Sequence, residues 1–209
     1  MHSGGDTATP ERIRELEERL RQREAEIALL REVAEAIGSE YQLQRVFDLV
    51  AEHARRLLDA ETVTIPVLSD DQKSYTYRSA AGVHADELQG ATLPLEIGIC
   101  GWVFRHRRSW WRGTLETLEE KERNRWEHNA GSVILVPLMG KRQFLGGIAG
   151  INKRGGGEFD RRDLDLLTLF ASQVSIAIEN ARFFEELNAA RQRAEAYREM
   201  LEESNRRLA

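Results

Sequence analysis

The stretch from Asp160 to Ala209 contains neither proline nor glycine, so no residue in it interrupts a single long helix. Its apolar residues advance by alternating steps of three and four, which places them on one stripe of that helix. In the second half the other positions are too polar to pack against a sheet, so the stripe needs another helix, most simply that of a second copy. The stripe in that half consists of Phe183, Leu187, Tyr197, Leu201 and Leu208.

A stripe with the same spacing follows Pro10, a residue typical of helix starts, and ends before Gly38. Arg and Glu occupy most of the remaining positions, as on the exposed faces of a coiled coil. We predict a disordered leader or tag over residues 1–10 and a coiled-coil helix over residues 11–38, paired in parallel with that of a second copy. This stripe consists of Ile13, Leu16, Leu20, Ile27, Leu30 and Ile37.

Between the two stripes, the hydrophobic pattern predicts helices and strands of ordinary length. An amphipathic helix over residues 43–58 is expected to lie on a sheet. Residues 62–68 and 75–80 form one predicted hairpin, in which Pro66 indicates an edge or a bulge. Residues 132–138 and 144–152 form a second hairpin, whose nearly continuous apolar character predicts central strands. The region between the hairpins is expected to hold short strands at 92–95 and 109–111 and short helices at 98–105 and 115–127.

The composition excludes several functional classes. The net charge of −5 argues against a dedicated nucleic-acid binder, because such proteins need clustered Lys and Arg. The single cysteine, Cys100, allows no internal disulfide and no metal site built from several cysteines, and it fits a reducing cytoplasm. The longest uncharged apolar run, at residues 133–139, is far shorter than the roughly 20 residues that cross a bilayer, so we expect no membrane segment in this chain.

Three consecutive glycines at residues 155–157 raise the question of a phosphate-binding loop. Such a loop continues with Lys and then Ser or Thr, whereas this one continues with "EFDRRD". The pattern instead predicts a helix start, with Asp160 as N-cap and Asp163 at the third helical position. Phe159 and Leu164 then occupy the two positions of a hydrophobic staple. We therefore interpret the glycines as a strand-to-helix connection.

Several segments together resemble a GAF domain, over about residues 39–185. The most specific is the closing part, in which "GINK" and a Gly-rich bend precede "LLTLFASQVSIAIENARFFEEL". Upstream, "YQLQRVFDLVAEHARRLLDAE" resembles the first helix of the family and "EIGICGWVFRHRRSW" its central turn and helix. The resemblance implies an α/β (α+β) fold, with an antiparallel sheet, helices from both chain ends on one face, and a ligand pocket on the other. Residues 186–209 would then be a C-terminal coiled-coil signalling helix.

The resemblance also extends to a family motif associated with cyclic nucleotides, through Asn152, Lys153, Phe159 and Asp163. Where that motif ends in glutamate this chain has Leu164, so we interpret the motif as mainly structural. It implies that Lys153 pairs with Asp163 across the turn and stiffens the junction between pocket and helix.

The central region supplies the candidate ligand-binding residues. Its four tryptophans suit a planar or apolar ligand, although they would equally fill an empty pocket. We expect Cys100 to be a half-buried structural thiol, because bilin-linked members usually have His or Leu after the cysteine and methionine-sulfoxide-reducing members need several cysteines. His128 is the candidate axial ligand if the domain binds haem. The pocket candidates are Arg78, Ile99, Cys100, Trp102, Val103, Trp111, Trp126, His128 and Ser132.

The sequence thus predicts a non-catalytic, cytoplasmic sensory domain of a signalling protein. It would bind a small molecule and relay binding through parallel homodimeric helices to an output domain absent from this chain. No cofactor and no metal is required. A ligand-free assembly module is the alternative, and a haem- or cyclic-nucleotide-binding sensor is a second alternative. We expect no catalysis, because no neighbouring motifs combine a nucleophile, a base and an orienting group.

Overall fold

The computed structural model describes residues 12, 14 and 17 and the ranges 42–69, 71–111, 130–141 and 143–208. The predicted helix at 115–127 lies outside the described residues, as do Trp126 and His128. The same holds for the N-terminal stripe, that is, for Ile13, Leu16, Leu20, Ile27, Leu30 and Ile37.

The described elements follow the predicted order with two differences: a short helix over residues 85–88 was not predicted, and the predicted strand at 109–111 is a single bridge at Trp110. They are α1 (Leu43–Leu57), β1 (Ala60–Leu68), β2 (Ser74–Gly82), α2 (Ala85–Leu88), β3 (Thr92–Pro94), α3 (Gly98–His106), β4 (Val133–Met139), β5 (Phe144–Lys153) and α4 (Arg161–Leu208). The strands form one antiparallel sheet in the order β3-β2-β1-β5-β4. The predicted α+β fold is therefore confirmed.

The helices α1 and α4 cover one face of the sheet. On α1 the residues spaced three and four apart are buried, among them Val46, Phe47 and Val50. They form one hydrophobic core with the alternate residues of β1, including Val63 and Ile65. Apolar residues repeat about every 3.6 positions in α1 and every second position in β1. Each element therefore presents one apolar face, and the two faces pack against each other.

Pro66 lies at a bulge, which is one of the two positions that the sequence analysis allowed for it. Ile65 pairs with Ser79 but Pro66 pairs with Tyr77, so Arg78 is an extra residue in β2. Proline cannot donate a hydrogen bond to the ladder, and the irregularity falls where that donor is missing. One consequence is that Tyr77 packs with α3 on one side of the sheet, whereas the Ser79 hydroxyl reaches Asp48 of α1 on the other (2.7 Å).

The prediction that both strands of the second hairpin are central is wrong for β4. The strand β5 lies between β1 and β4, but β4 is the last strand of the sheet. Trp110 covers the outer edge of β4 at one point, where Trp110 and Leu135 exchange two backbone hydrogen bonds of 2.8 and 2.7 Å. Because α4 and α3 also cover its two faces, this edge strand carries apolar residues on both sides.

The helix α4 is the single long helix that the sequence predicts. It runs for 48 residues, which is roughly 70 Å. The residues that face the sheet are buried as far as Ala181, and from Phe183 onward each described side chain is exposed. Among the described residues, no helix is long and apolar enough to cross a membrane.

Candidate functional site

The face of the sheet opposite α1 and α4 is covered by α3. Ile99, Val103 and Phe104 of α3 are buried against Tyr75 and Tyr77 of β2. A glycine in α3 lets this helix lie close to the segment that precedes it, because a Cβ at position 101 would lie 2.1 Å from the carbonyl oxygen of Leu95. The predicted pocket residues Ile99 and Val103 lie on the α3 side of the sheet and belong to its packed core.

Thr64 lies on β1 at the centre of this face and is 1% exposed. It pairs with Ala80 of β2 and with Ala149 of β5, two small residues that lie on the same side as α3. Its hydroxyl oxygen has no hydrogen-bond partner among the described residues. Thr62, two residues earlier on β1, is also buried, but its hydroxyl donates to the carbonyl oxygen of Val83 (2.7 Å).

Cys100 also lies on this face, but it is more buried than the sequence predicts. The sequence predicts a half-buried thiol, whereas the side chain of Cys100 is 3% exposed. It is buried because α3 packs against β2 at this position. Its Sγ atom lies 3.9 Å from the hydroxyl of Tyr77, and the hydroxyl of Tyr75 donates to the carbonyl oxygen of Ile97 (3.0 Å). A thiol in these surroundings is inaccessible as a nucleophile.

The described tryptophans do not all line the same space. Trp102 contacts Trp110 edge to face, with ring centroids 5.1 Å apart, and both belong to the α3 side. Trp111 points the other way: it packs against the core beneath α1 and α4, and the guanidinium of Arg161 lies 5.9 Å from its ring centroid. The prediction that Trp111 lines the α3-side pocket is therefore wrong, because neighbouring residues of an extended segment face opposite sides.

Arg78, another pocket candidate, is the extra residue of the bulge and is exposed. Its carbonyl oxygen accepts a hydrogen bond from Gln44 of α1 (2.9 Å), so its backbone contacts α1 rather than α3. The structure thus separates Arg78 and Trp111 from the other described candidates.

Asn152 and Ser132 connect the end of β5 to the start of β4. Asn152 adopts a left-handed backbone with φ of 54°, which asparagine tolerates better than most residues. Its side-chain oxygen accepts from the N–H groups of Gly131 (2.7 Å) and Ser132 (3.3 Å), and its amide nitrogen donates to Glu61 (3.1 Å). Asn152 thereby anchors the chain where the central region re-enters the sheet.

Lys153, Asp160 and Asp163 join β5 to the start of α4. The side-chain oxygen of Asp160 accepts from the N–H groups of Arg162 (2.8 Å) and Asp163 (3.0 Å), and Asp163 accepts from the N–H of Asp160 (2.8 Å). The ammonium group of Lys153 donates to the same Asp163 oxygen (2.6 Å). The reciprocal cap and the Lys153 pair that the sequence analysis expected are both present.

These contacts also set the electrostatics of the helix start. The hydrogen bond from the backbone N–H of Asp163 lowers the pKa of Asp160 below its usual value, since it stabilises the ionised form. Phe159 and Leu164 are both buried in the core beneath α4, as a hydrophobic staple requires.

Sequence reasoning missed two carboxylates of α4 that hold other elements. Glu185 accepts from the N–H of Leu43 (3.0 Å) and so caps α1, whose own N-cap residue makes no side-chain cap. Glu179 accepts from the N–H of Lys141 (2.9 Å) in the turn between β4 and β5. No local pattern identifies either contact, because each joins residues far apart in the chain.

Metal chemistry has little support in the part of the chain that the structure describes. Within it, no group of three or more His, Cys, Asp or Glu side chains could hold a metal ion. The candidate haem ligand His128 lies outside that part.

Comparison with solved structures places this architecture among GAF folds. The GAF domain of a phosphoenolpyruvate-protein phosphotransferase from Acinetobacter superposes with a TM-score of 0.66 at 18% identity, covering 78% of this chain and 98% of that one. The second GAF domain of DevS from Mycobacterium smegmatis gives 0.59 at 22% identity, covering 70% and 99%. Free methionine-R-sulfoxide reductase from Neisseria meningitidis gives 0.64 at 15% identity, covering 87% and 98%. At these identities the likeness shows the fold alone.

The sequence itself gives the family directly. The GAF domain model matches residues 40–179, which is more than half of the chain and includes α1, the whole sheet and the sheet-facing turns of α4 up to residue 179. The antiparallel sheet with α1 and α4 on one face is the arrangement that the resemblance implied. The protein therefore belongs to the GAF domain family.

Proposed function

We propose that this chain is a non-catalytic sensory domain of a cytoplasmic signalling protein, which binds a small molecule on the α3 side of its sheet. Residues 39–185 form the sensory domain in this proposal. Residues 11–38 and 186–209 are the helices that pair with those of a second copy and carry the signal to an output domain outside this chain. No cofactor is required.

The unpartnered hydroxyl of Thr64 carries the ligand-binding part of the proposal. Leaving a buried hydroxyl without a hydrogen bond costs about 1–3 kcal/mol, so the position is unfavourable in the absence of a ligand. The strand neighbours of Thr64, Ala80 and Ala149, are both small, so no bulky side chain of β2 or β5 lies directly beside its hydroxyl. A ligand that offers one polar atom to Thr64 and an apolar or planar surface to Tyr77 would satisfy the site.

A path for the signal starts beside Thr64. Its neighbour Ala149 is followed on β5 by Lys153, and Lys153 forms the ion pair with Asp163 in the first turn of α4. A shift of β5 on ligand binding would therefore act directly on the start of α4. The pairing of α4 with its copy is the two-state element that this shift would bias.

Binding is tested by thermal-shift screening followed by calorimetry with cyclic AMP, cyclic GMP, haem and a panel of small metabolites. For any compound that binds, Thr64→Val should weaken affinity roughly tenfold, since it removes one buried hydrogen bond. Thr62→Val is the matched control and should bind normally, because the Thr62 hydroxyl already has a protein partner. Binding that is insensitive to Thr64→Val would contradict this site.

Exposed apolar side chains on α4 support the dimer. Phe183, Leu187 and Leu201 are 63%, 52% and 62% exposed, although they share one stripe of the helix. The stripe extends back over the domain through Leu169 and Ile176, which face away from the core and are also exposed. Water-exposed apolar residues at this regular spacing are typical of a helix that pairs with another helix.

Light scattering tests this part of the proposal. The chain should have twice the protomer mass of 23.9 kDa at micromolar concentration. Leu187→Glu should shift the equilibrium toward the protomer, because it places a charge in the apolar stripe. Ala189→Glu, at an exposed position outside the stripe, should leave the mass unchanged. A protomeric wild-type chain at high micromolar concentration would refute the relay mechanism.

The dense packing beneath α3 favours the second candidate, a ligand-free assembly module. Ile99, Val103 and Phe104 fill the space over Tyr75 and Tyr77 with side chains. If no compound binds while the dimer persists, this candidate replaces the sensory one. An enzymatic role like that of the sulfoxide reductase has weaker support, because Cys100 is the single cysteine and is buried.

A further inference from the structure

A basic cleft with a volume of about 480 Å³ lies at the end of the sheet where β1 ends and the turn between β4 and β5 begins. Three cationic side chains from three different elements line it. Arg107 is the C-cap residue of α3, Lys141 lies in the turn between β4 and β5, and Arg182 lies on α4. Because these residues are far apart in sequence, only the folded chain brings their charges together.

Among the described residues, carboxylates balance the charge of these three cations only in part. None of them forms an ion pair with a carboxylate that the structure describes. The nearby carboxylate of Glu179 is engaged by the backbone N–H of Lys141 (2.9 Å). The cleft thus carries three formal positive charges against the nearby carboxylate of Glu179, so it would attract an anion.

One of the cations is already held in place. The guanidinium carbon of Arg107 lies 4.0 Å from the ring centroid of Phe144, and Phe144 in turn packs edge to face against Phe104 (4.8 Å). A stacked guanidinium loses less freedom when it binds a ligand, and its planar donors match the oxygen atoms of carboxylate and phosphate groups. The ring stack therefore prepares Arg107 for an oxyanion.

The rest of the lining indicates the size and type of the anion. Leu68, Phe144 and Leu145 contribute apolar surface, and Ser69 and Gln143 add polar groups. A small organic molecule with two or more anionic groups fits such a cleft. A nucleic acid or another extended polyanion fits less well, because the chain carries a net charge of −5 and would repel it at long range.

We propose that this basic cleft is a second binding site, separate from the α3-side face, for a small organic polyanion that carries phosphate or carboxylate groups. Leu68 at the cleft lies four residues along β1 from Thr64, which is roughly 13 Å. A bound anion would join α3, the turn between β4 and β5, and α4 through their three cations. The inference does not depend on the sensory proposal.

Calorimetry of the full chain at low salt, with pyrophosphate and with citrate as separate probes, tests the site. Binding of pyrophosphate alone assigns phosphate chemistry, binding of citrate alone assigns carboxylate chemistry, and binding of both assigns a general polyanion site. Arg182→Gln and Arg107→Gln should each weaken affinity roughly tenfold, since each removes a charged hydrogen-bond donor. Added KCl should weaken binding further.

Arg193→Gln is the matched control, because Arg193 is an exposed arginine of the same helix outside the cleft, and it should bind within twofold of wild type. In amide NMR spectra the probes should shift the signals of Lys141 and Gln143 and leave that of Thr64 in place. Neither probe binding, or equal losses in Arg182→Gln and Arg193→Gln, would overturn the proposal. Arg182 lies within the long helix α4, so Arg182→Gln should fold and still tests the cleft if Arg107→Gln does not fold.

Discussion

Replacing Thr64 by valine is expected to stabilise the ligand-free protein. The substitution keeps the β-branched shape and removes a hydroxyl that is 1% exposed and has no described partner. Such a group costs about 1–3 kcal/mol of desolvation, so the gain in unfolding free energy should be about 1 kcal/mol or more. Thr62→Val should have the opposite effect, because it removes a hydroxyl that donates to Val83 at 2.7 Å, and the loss should be about 1 kcal/mol.

The two variants form a matched pair. Both threonines lie on β1, two residues apart and therefore on the same face, and both are buried. Urea unfolding followed by circular dichroism gives the two free energies, and all variants must be compared at one protein concentration because a dimer couples stability to concentration. For a chain of this length, 1 kcal/mol corresponds to a shift in Tm of about 2–4 °C.

The sign of the difference decides the outcome. If Thr64→Val destabilises the protein as much as Thr62→Val, then the Thr64 hydroxyl has a partner after all. No unsatisfied hydroxyl would then mark the centre of this face as a ligand site.

Three further predictions concern the helix ends and the sheet. Asp160→Ala should cost about 1 kcal/mol whereas Asp160→Asn should cost a few tenths, because asparagine also accepts N-cap hydrogen bonds. Because the pKa of Asp160 is lower in the folded state, its ionised form stabilises the fold above the unfolded pKa of about 4. This contribution to the unfolding free energy is lost as the pH falls through the lower folded pKa. In that pH range the unfolding free energy of Asp160→Asn should therefore depend less on pH than that of the wild type. Glu185→Ala should cost about 0.5–1 kcal/mol in urea unfolding, since it uncaps Leu43 at the start of α1. Gly150→Ala should lower the unfolding free energy by about 1–3 kcal/mol, because its Cβ would lie 2.8 Å from the side chain of Leu58. Gly131→Ala is the control and should be nearly neutral, because its Cβ would meet nothing closer than 3.5 Å. Equal thermal stabilities of the two variants would contradict the packing at Gly150.

Local sequence patterns were sufficient for α1, α3 and α4, for both hairpins and for the start of α4. A helix start depends on residues within one turn, so Asp160, Asp163 and Phe159 could be recognised from their spacing. The missing backbone donor of proline predicted an edge or a bulge at Pro66, and the structure has a bulge there. The family resemblance rested on the same local segments, and the match to residues 40–179 agrees with it.

Strand order and the covering of each face were beyond such patterns. The apolar pattern of β4 indicated a central strand, because the sequence does not reveal that Trp110 and two helices cover an edge strand. Trp111 was assigned to the pocket because its neighbours are aromatic, but it packs on the opposite side of the sheet. Both errors have one physical cause, since the neighbours of a strand come from distant parts of the chain.

The amino-acid sequence alone determined the helix that runs to residue 208, because helix formation and the apolar stripe depend on residues three and four apart. Only the tertiary structure decided which buried group lacks a partner. Thr62 and Thr64 are the same residue type on the same face of one strand. Their difference arises because the fold brings the carbonyl oxygen of Val83 to one hydroxyl, whereas no described group lies within hydrogen-bonding distance of the other.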